Sequence, residues 1–279
     1  MKNRLFPVVW IIIISALLII GCEKRTTSPS ETDWDAVKSL IAHNPDIFAL
    51  DLFGTEADTL FYREITSRNG DIEEGNKYPA DSTHWFEYIS LTWGDSLIGT
   101  FHYRSGGNMY IKPISAIALT NAYFEKWGDN ADPYLGWLLK QVSGTVINSV
   151  GTTRHLYSVN IVSEGVDVFL SEPYLLRLVK KDSTLVFQPG KQVTFTIDVP
   201  EADTSDFFYL RIKEDSTSGT IPFTNNGDET LSASWTTTTD ASAASGYKHA
   251  IIDDINRKSV TDTTYKYDSK AWGIIYRIK

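Results

Sequence analysis

One predicted strand carries the residues that come closest to an enzyme-like set. In the segment 96–104, His102 and Arg104 share one face because they lie two residues apart. If that face lines a cavity, His102 can act as a base and Arg104 can bind an anion, with Asp51 or Glu64 as partners. In the alternative arrangement the aromatic residues between them face the core, and His102 and Arg104 face solvent. The alternation of a half-buried strand favours this second arrangement, so we predict no catalytic residue and keep these four residues as a candidate pocket.

Motifs of the common enzyme classes are missing from the sequence. It contains no Gly-x-Ser-x-Gly, no Gly-x-Gly-x-x-Gly and no phosphate-binding Gly-Lys-Ser/Thr loop. The oxygen-rich turn Asp129, Asn130 and Asp132 could hold calcium, but it lacks the longer ligand spacing of a calcium loop, and a plain turn is favoured. No two histidines lie within four residues of each other, so no zinc-binding helical pair is present. We therefore expect no metal and no cofactor.

The single cysteine of the chain closes an apolar amino-terminal segment. Cys22 follows Ile19-Ile20-Gly21, and Lys2 and Arg4 precede the apolar run. That run is shorter than the roughly 20 residues of a spanning helix, which favours a cleaved signal over a permanent membrane span. An uncleaved span with a free cysteine is the alternative.

The segment that ends at Cys22 resembles the lipobox of bacterial lipoproteins. This resemblance implies that the Cys22 thiol receives a diacylglycerol, that residues 1–21 are removed and that the new amino terminus is acylated. Two or three acyl chains give stable anchoring, so we expect residues 22–33 to tether a folded part to the membrane. The resemblance implies an extracytoplasmic location in a bacterial cell envelope. Glu23 does not decide between the inner and the outer membrane.

Charge and cysteine content exclude several functions. The chain has 26 basic and 35 acidic side chains, and signal cleavage would also remove Lys2 and Arg4. An acidic surface argues against nucleic acid and against direct binding to anionic lipid, so contact with the membrane should pass through the lipid on Cys22. A lone, lipidated cysteine leaves no disulfide, thiol nucleophile or cysteine metal site.

Residues 34–150 are predicted to form an α+β domain of short helices on a curved antiparallel sheet. Helical spacing begins at Trp34 and Asn44-Pro45 ends it, after which a second short turn follows. We then expect a strand over 60–65, a polar loop over 67–83, and a hairpin whose tight turn is Gly94-Asp95.

This order of elements resembles the cystatin-like or NTF2-like cone, in which a sheet wraps an amino-terminal helix. The late segment Gly136-Trp137-Leu138-Leu139 occupies the position of a closing strand in that resemblance. The family's cone often encloses a pocket for small ligands, for isomerase or dehydratase chemistry, or serves only protein contacts. No catalytic residue is carried over, because no motif position matches.

Residues 151–279 are predicted to form an all-β sandwich. Short strands separated by turn residues recur from His155 onward, and the alternation from Val193 to Val199 marks one half-buried strand. The turn 188–191 before it resembles that of bacterial immunoglobulin-like modules, which implies an architecture and no reaction.

Aromatic residues are abundant, with eight tryptophans in the chain. Exposed tryptophan and tyrosine can stack on sugars or anchor a partner protein. Because they lie in strand patterns, we expect Trp85, Trp93, Trp137 and Trp272 to be core residues.

Three functional classes remain. The leading one is a non-catalytic, membrane-anchored extracytoplasmic lipoprotein that binds a partner protein or a surface polymer such as a polysaccharide. The second is a lipid-tethered small-ligand-binding protein or enzyme with a pocket in the first domain. The third is a structural component of envelope assembly that works through its sandwich edges.

Overall fold

A computed structural model of the chain describes residues 31–50, 61–105, 107–199, 205–214, 217–240 and 246–279, and they are mostly β. Strands account for 59% of these residues and helices for 13%. The strands are β1 Phe61–Tyr78, β2 Tyr88–Ser105, β3 Asn108–Lys126, β4 Trp137–Ser149, β5 Ser158–Ser163, β6 Val166–Ser171, β7 Val179–Lys180, β8 Leu185–Phe187, β9 Gln192–Asp198, β10 Phe207–Glu214, β11 Thr217–Pro222, β12 Thr224–Asn225, β13 Thr230–Thr236, β14 Lys248–Ile255 and β15 Ser269–Ile278. The helices are α1 Glu31–Ala42, α2 Pro45–Phe48, α3 Glu172–Leu175 and α4 Lys258–Thr261, with 3-10 turns at Pro133–Gly136 and Lys181–Ser183.

A large, mainly antiparallel sheet is the main element of the fold. Its order is β1-β2-β3-β4-β15-β14-β10-β11, while β7 pairs with β4 and β8 pairs in parallel with β15. The sheet curls, because the Phe61 ring on β1 lies 5.4 Å from the Tyr209 ring on β10, six strands away along that order. Pairing of Ala271 with Ile147 joins the first and last parts of the chain, so the sheet crosses the predicted domain boundary at 150/151.

The second sheet has the order β12-β13-β9-β5-β6 and packs against one face of the large sheet. Phe195 and Trp235 of this sheet share a core with Leu210 and Trp272 of the large sheet, and all four are buried. The predicted alternation from Val193 is confirmed, since the odd-numbered residues of β9 point into this core.

The predicted fold class, an α+β domain followed by a separate immunoglobulin-like sandwich, is wrong. Helix α1 is the only helix of seven residues or more in the described ranges, and the amino-terminal part is dominated by long strands. The predicted loop 67–83 lies mostly within β1, which runs to Tyr78. Pairing of β1 with β2 along almost its whole length explains why this polar segment is extended, since the ladder satisfies its backbone groups.

The predicted tight turn at Gly94-Asp95 is also wrong, because both residues lie in the middle of β2. A Cβ atom on Gly94 would come within 2.4 Å of the Glu73 side chain, so glycine here permits close packing between neighbouring strands. Asp95 is buried and its carboxylate lies 3.4 Å from the Arg68 guanidinium. A dipeptide typical of turns thus occupies a strand for reasons of packing and charge.

The two predicted amino-terminal helices are confirmed. Helix α1 begins at Glu31, inside the range 22–33 assigned to the tether, and α2 begins at Pro45 after Asn44. Val37 and Ile41 of α1 pack with Phe124 of β3 on the face of the large sheet opposite the second sheet.

Candidate functional site

Three of the four candidate pocket residues, Glu64, His102 and Arg104, lie on the face of β1 and β2 that points away from the core. His102 pairs with Tyr62 across the strands, and their rings stack with centroids 4.3 Å apart. His102 Nε2 lies 3.4 Å from the Glu64 carboxylate, whose side chain is 63% exposed. The structure therefore brings two of the four predicted residues together at the surface.

The other two do not join them in an enclosed site. Arg104 is exposed, and Asp51 lies outside the described residues. On β2, Phe101 precedes His102, and Tyr103 lies between His102 and Arg104. These two aromatic residues face the core. Arg104 faces solvent, whereas the His102 side chain is only 16% exposed, because the Tyr62 ring stacks on it.

A buried charge network that the sequence did not indicate occupies the inner face of the curled sheet. Arg63 of β1 donates two hydrogen bonds to the Asp253 carboxylate of β14, at 2.7 and 2.8 Å. Arg211 of β10 donates a third at 2.9 Å. Arg63 Nε also donates to the Tyr267 hydroxyl at 2.6 Å. The network ties the first strand to the last part of the sheet.

The electrostatics of this network fix its charge state. Burial raises the pKa of Asp253, but the two guanidinium groups outweigh that effect and hold the pKa below its usual value. Burial also lowers the pKa of Arg211 and raises that of Tyr267. Asp253 is therefore a carboxylate and Tyr267 is a neutral phenol, and both guanidinium groups donate hydrogen bonds to Asp253. Such a cluster can hold the curl of the sheet, because it joins β1, β10 and β14 through buried, charge-assisted hydrogen bonds.

A second ionic cluster fixes the start of α1. The Asp33 carboxylate accepts hydrogen bonds from Lys77 Nζ at 2.7 Å and from Trp137 Nε1 at 3.0 Å, and Lys126 Nζ lies 3.5 Å away. Burial raises the pKa of Asp33, but the hydrogen bonds and the two lysines more than offset it and lower the pKa to about 2. Each lysine Nζ also lies 5.7 Å from the centroid of the Trp137 ring. This arrangement holds α1 on the sheet.

The most distinctive surface feature is an aromatic group at one end of the β1–β2–β3 meander. We call it the aromatic shelf; its members are Tyr78, His84, Trp85, Phe86, Tyr88, Tyr123 and Trp127. Trp85 is 86% exposed and Trp127 is 53% exposed. Exposed side chains of this size cluster at binding surfaces more often than elsewhere.

Stacking organises the aromatic shelf into two groups. Tyr88 stacks on Tyr78, with centroids 4.7 Å apart, and contacts His84 and Tyr123 at 4.6 and 5.4 Å. Phe86 stacks on Trp127 with centroids 4.2 Å apart. These rings come from different strands and from the segment 79–87 between β1 and β2, so the pairing of the strands positions them.

Polar groups border the stacked rings. Trp127 Nε1 donates a 2.7 Å hydrogen bond to the Glu125 carboxylate, and Lys140 Nζ lies 4.1 Å from the Trp127 ring centroid. Burial, together with the nearby Glu125 charge, raises the pKa of Tyr123 to about 12. The phenol is therefore neutral under ordinary conditions, and the shelf combines apolar rings with one carboxylate and one cation.

The tryptophan prediction is confirmed in part. Trp137 and Trp272 are fully buried, and Trp93 is half-buried against the helix-side core. For Trp85 the prediction is wrong, because the segment 79–87 is irregular and no neighbouring strand covers it. The run His84-Trp85-Phe86 places aromatic residues at consecutive positions, and such a run cannot have all of its side chains on one buried face.

The oxygen-rich turn has local bonding. The Asp132 carboxylate accepts from the Asp129 amide, Asp129 accepts from Ala131, and Asn130 accepts from Lys126 Nζ. No group of three potential metal-ligating His, Cys, Asp or Glu side chains occurs in the part of the chain that the structure describes.

The predicted lipidation site, Cys22, lies outside the described residues. Within those residues, no helix has both the length and the apolar character needed to cross a membrane. Comparison with known proteins found no matching family model, no matching curated protein and no matching solved structure.

Proposed function

We propose that this protein is an extracytoplasmic, non-catalytic lipoprotein, anchored through Cys22, that binds a partner protein with its aromatic shelf. The observation that carries the proposal is the exposure of two tryptophans, Trp127, on which Phe86 stacks, and Trp85, the residue before Phe86 in the chain. Hydration of the apolar area of two such exposed rings costs free energy, which binding of a partner would recover.

Stacking within the shelf favours a protein partner. Phe86 and Lys140 both lie against the Trp127 ring, so much of its face is occupied and its edge remains for contact. Rings that are held in place before binding lose little conformational entropy in the complex. Tryptophan and tyrosine at such positions commonly dominate binding energy in protein interfaces.

A surface polysaccharide is the second candidate, and one observation favours it. Trp85 is 86% exposed, which leaves its ring available to stack on a sugar. A small-ligand pocket around His102 has less support, because His102 and Arg104 lie on an outward face.

The anchor is tested by metabolic labelling of cells with an alkyne fatty acid. The wild-type chain should carry the label and fractionate with membranes, whereas Cys22→Ser should be unlabelled. Label that persists in Cys22→Ser would contradict anchoring at this residue.

Binding by the shelf is tested by the size of the complex in a mild detergent extract. We expect the wild-type lipoprotein to migrate well above the mass of one processed chain plus detergent, the 279-residue chain before removal of residues 1–21 being 31.4 kDa. Trp85→Ala combined with Trp127→Ala should shift it to the mass of the free protein, while the matched control Val150→Ala, at another exposed apolar position, should not. Sensitivity of the wild-type complex to a glycosidase instead of a protease would favour the polysaccharide. Identical migration of all three chains would contradict the proposal.

A further inference from the structure

A cleft opens between the large sheet and β6, the last strand of the second sheet. It has a volume of about 150 Å³, and its lining includes Val142, Leu170, Tyr174, Leu175, Val179 and Leu185. These residues come from β4, β6, α3, β7 and β8. A cavity of this volume accommodates one aromatic or branched aliphatic group.

Strand β6, which borders this cleft, has one edge that no strand of the described residues pairs with. Strand β6 is the last strand of the second sheet and pairs only with β5 among the described residues. The Glu172 amide donates a hydrogen bond to the Tyr157 carbonyl, one position beyond the Ser158–Ser171 pair of the β5–β6 ladder. Tyr157 and Glu172 therefore lie opposite each other as a hydrogen-bonded pair of an antiparallel ladder. By antiparallel alternation, the main-chain groups of Asp167, Phe169 and Ser171 point to the unpaired side.

This edge has little of the protection that free edges usually have. Soluble proteins commonly protect edge strands with lysine, proline or a bulge, and β6 has the sequence Val-Asp-Val-Phe-Leu-Ser. Phe169 is 64% exposed on the outer face of the strand, next to the exposed Val162 of β5. An edge strand whose only charged residue is Asp167, beside an apolar cleft, is a surface on which another strand can pair.

The positive charge of Arg177 in the cleft favours a ligand that carries a negative charge. Arg177 is the only charged residue in the lining of the cleft, and it has no ion-pair partner among the described residues. At the same end of β6, Glu172 is already paired with Lys270. An occupant with a carboxylate near its apolar anchor would complement this cation.

We propose that β6 and this cleft form a second docking site, which binds an extended segment of another protein as an added antiparallel strand. One apolar side chain of that segment fills the cleft, and an adjacent carboxylate meets Arg177. The site is separate from the aromatic shelf and does not depend on it. The chain's own tether, residues 22–30, contains no large apolar side chain and does not fit the cleft.

The probe for this site is a displayed library of eight-residue peptides with alternating apolar and polar positions, acidic residues included. Eight residues span about 26 Å, enough to cover the six residues of β6. Peptides are selected for binding to the full chain, and those that also bind the Val179→Trp variant are removed. In this variant the tryptophan side chain fills the cleft from an exposed position on β7. Val150→Trp is the matched control outside the cleft. If Val179→Trp lowers the melting temperature, Tyr174→Lys at the exposed rim replaces it.

We expect enriched peptides to bind Val179→Trp at least about tenfold more weakly than the wild type, and to bind Val150→Trp equally well. In an added strand, the main-chain amides of alternate residues would point toward β6, and the remaining amides would point away from it. N-methylation of the first set should weaken binding about tenfold, and N-methylation of the second set should have little effect. Arg177→Glu should reverse the preference for an acidic residue beside the anchor.

Three results would overturn the proposal. The first is a selection that yields no peptide preferring the wild type over the cleft-filled variant. The second is equal tolerance of N-methylation at both sets of positions, which would indicate that no strand pairing occurs. The third is a dimer of the full chain, seen by sedimentation and dissociated by Phe169→Lys, which would assign the edge to a second copy.

Discussion

Protonation of His249 should destabilise the fold, and the structure allows the size of the effect to be calculated. His249 lies on β14 beneath α2, where its imidazole hydrogen-bonds to the main chain of Ile47. Its Nε2 is enclosed and has no hydrogen-bond partner in the part of the chain that the structure describes. Burial lowers the pKa from 6.5 to about 4, and the bond to Ile47 offsets only part of that shift.

The sign of the pH dependence follows from linkage. Because the folded pKa lies below the unfolded one, the unfolded chain binds the proton more tightly. The full contribution to stability is therefore present above the unfolded pKa of 6.5 and is lost as the pH falls toward the folded pKa of about 4. A shift of this size corresponds to about 3 kcal/mol at most. We expect about 2 kcal/mol, because the residue as a whole is only half-buried and solvent screens part of the effect.

Urea unfolding, followed by tryptophan fluorescence between pH 7 and pH 4.5, measures this loss. The reference chain is Cys22→Ser, and His249→Gln in that background removes the titration while keeping a side-chain amide donor. The exposed His155→Gln is the matched control. We expect the free energy of unfolding to fall less with decreasing pH in His249→Gln than in the reference and the control. Parallel curves for all three chains would refute the assignment of the effect to His249.

Three further predictions concern the rest of the fold. Asp253→Asn should cost about 3 to 5 kcal/mol of unfolding free energy, because it leaves the buried Arg63 without its countercharge, and denaturant titration measures the loss. Asp33→Asn should lower the free energy of unfolding by about 1 kcal/mol at neutral pH. This difference from the wild type should disappear as the pH falls from 3.8 toward about 2, because the wild-type carboxylate then becomes protonated. Thermal melts over that pH range test this. Gly99→Ala should lower the melting temperature measured by circular dichroism, because its Cβ would lie 2.0 Å from the Glu64 carbonyl oxygen; an unchanged melt would show that β1 and β2 are farther apart.

Local sequence patterns predict a helix or strand correctly where the residues of one segment determine its structure. The structure confirms the helical spacing of α1, the Asn44-Pro45 boundary and the alternation of β9. Each depends on residues within about ten positions of one another, so a single segment contains the whole signal.

The errors arose where distant segments decide the structure. Gly94-Asp95 has the composition of a turn, but pairing with two neighbouring strands keeps it extended. The sequence gives no local sign that Arg63 is buried, because its partner Asp253 lies 190 positions away along the chain. The aromatic shelf was missed for the same reason, since its rings meet only through strand pairing and its most exposed member was assigned to the core.

Photo-crosslinking in living cells is the most direct test of the proposed shelf. A photoreactive phenylalanine analogue replaces Trp85 in the full, lipid-anchored chain, and the same analogue at Val150, at the far end of β4, is the control. We expect the analogue at position 85 to form a discrete crosslinked protein species, and this species should be lost when Trp127 is also changed to alanine. The analogue at position 150 should form none. Equal or absent crosslinking at both positions would contradict the central claim that the shelf is the binding surface.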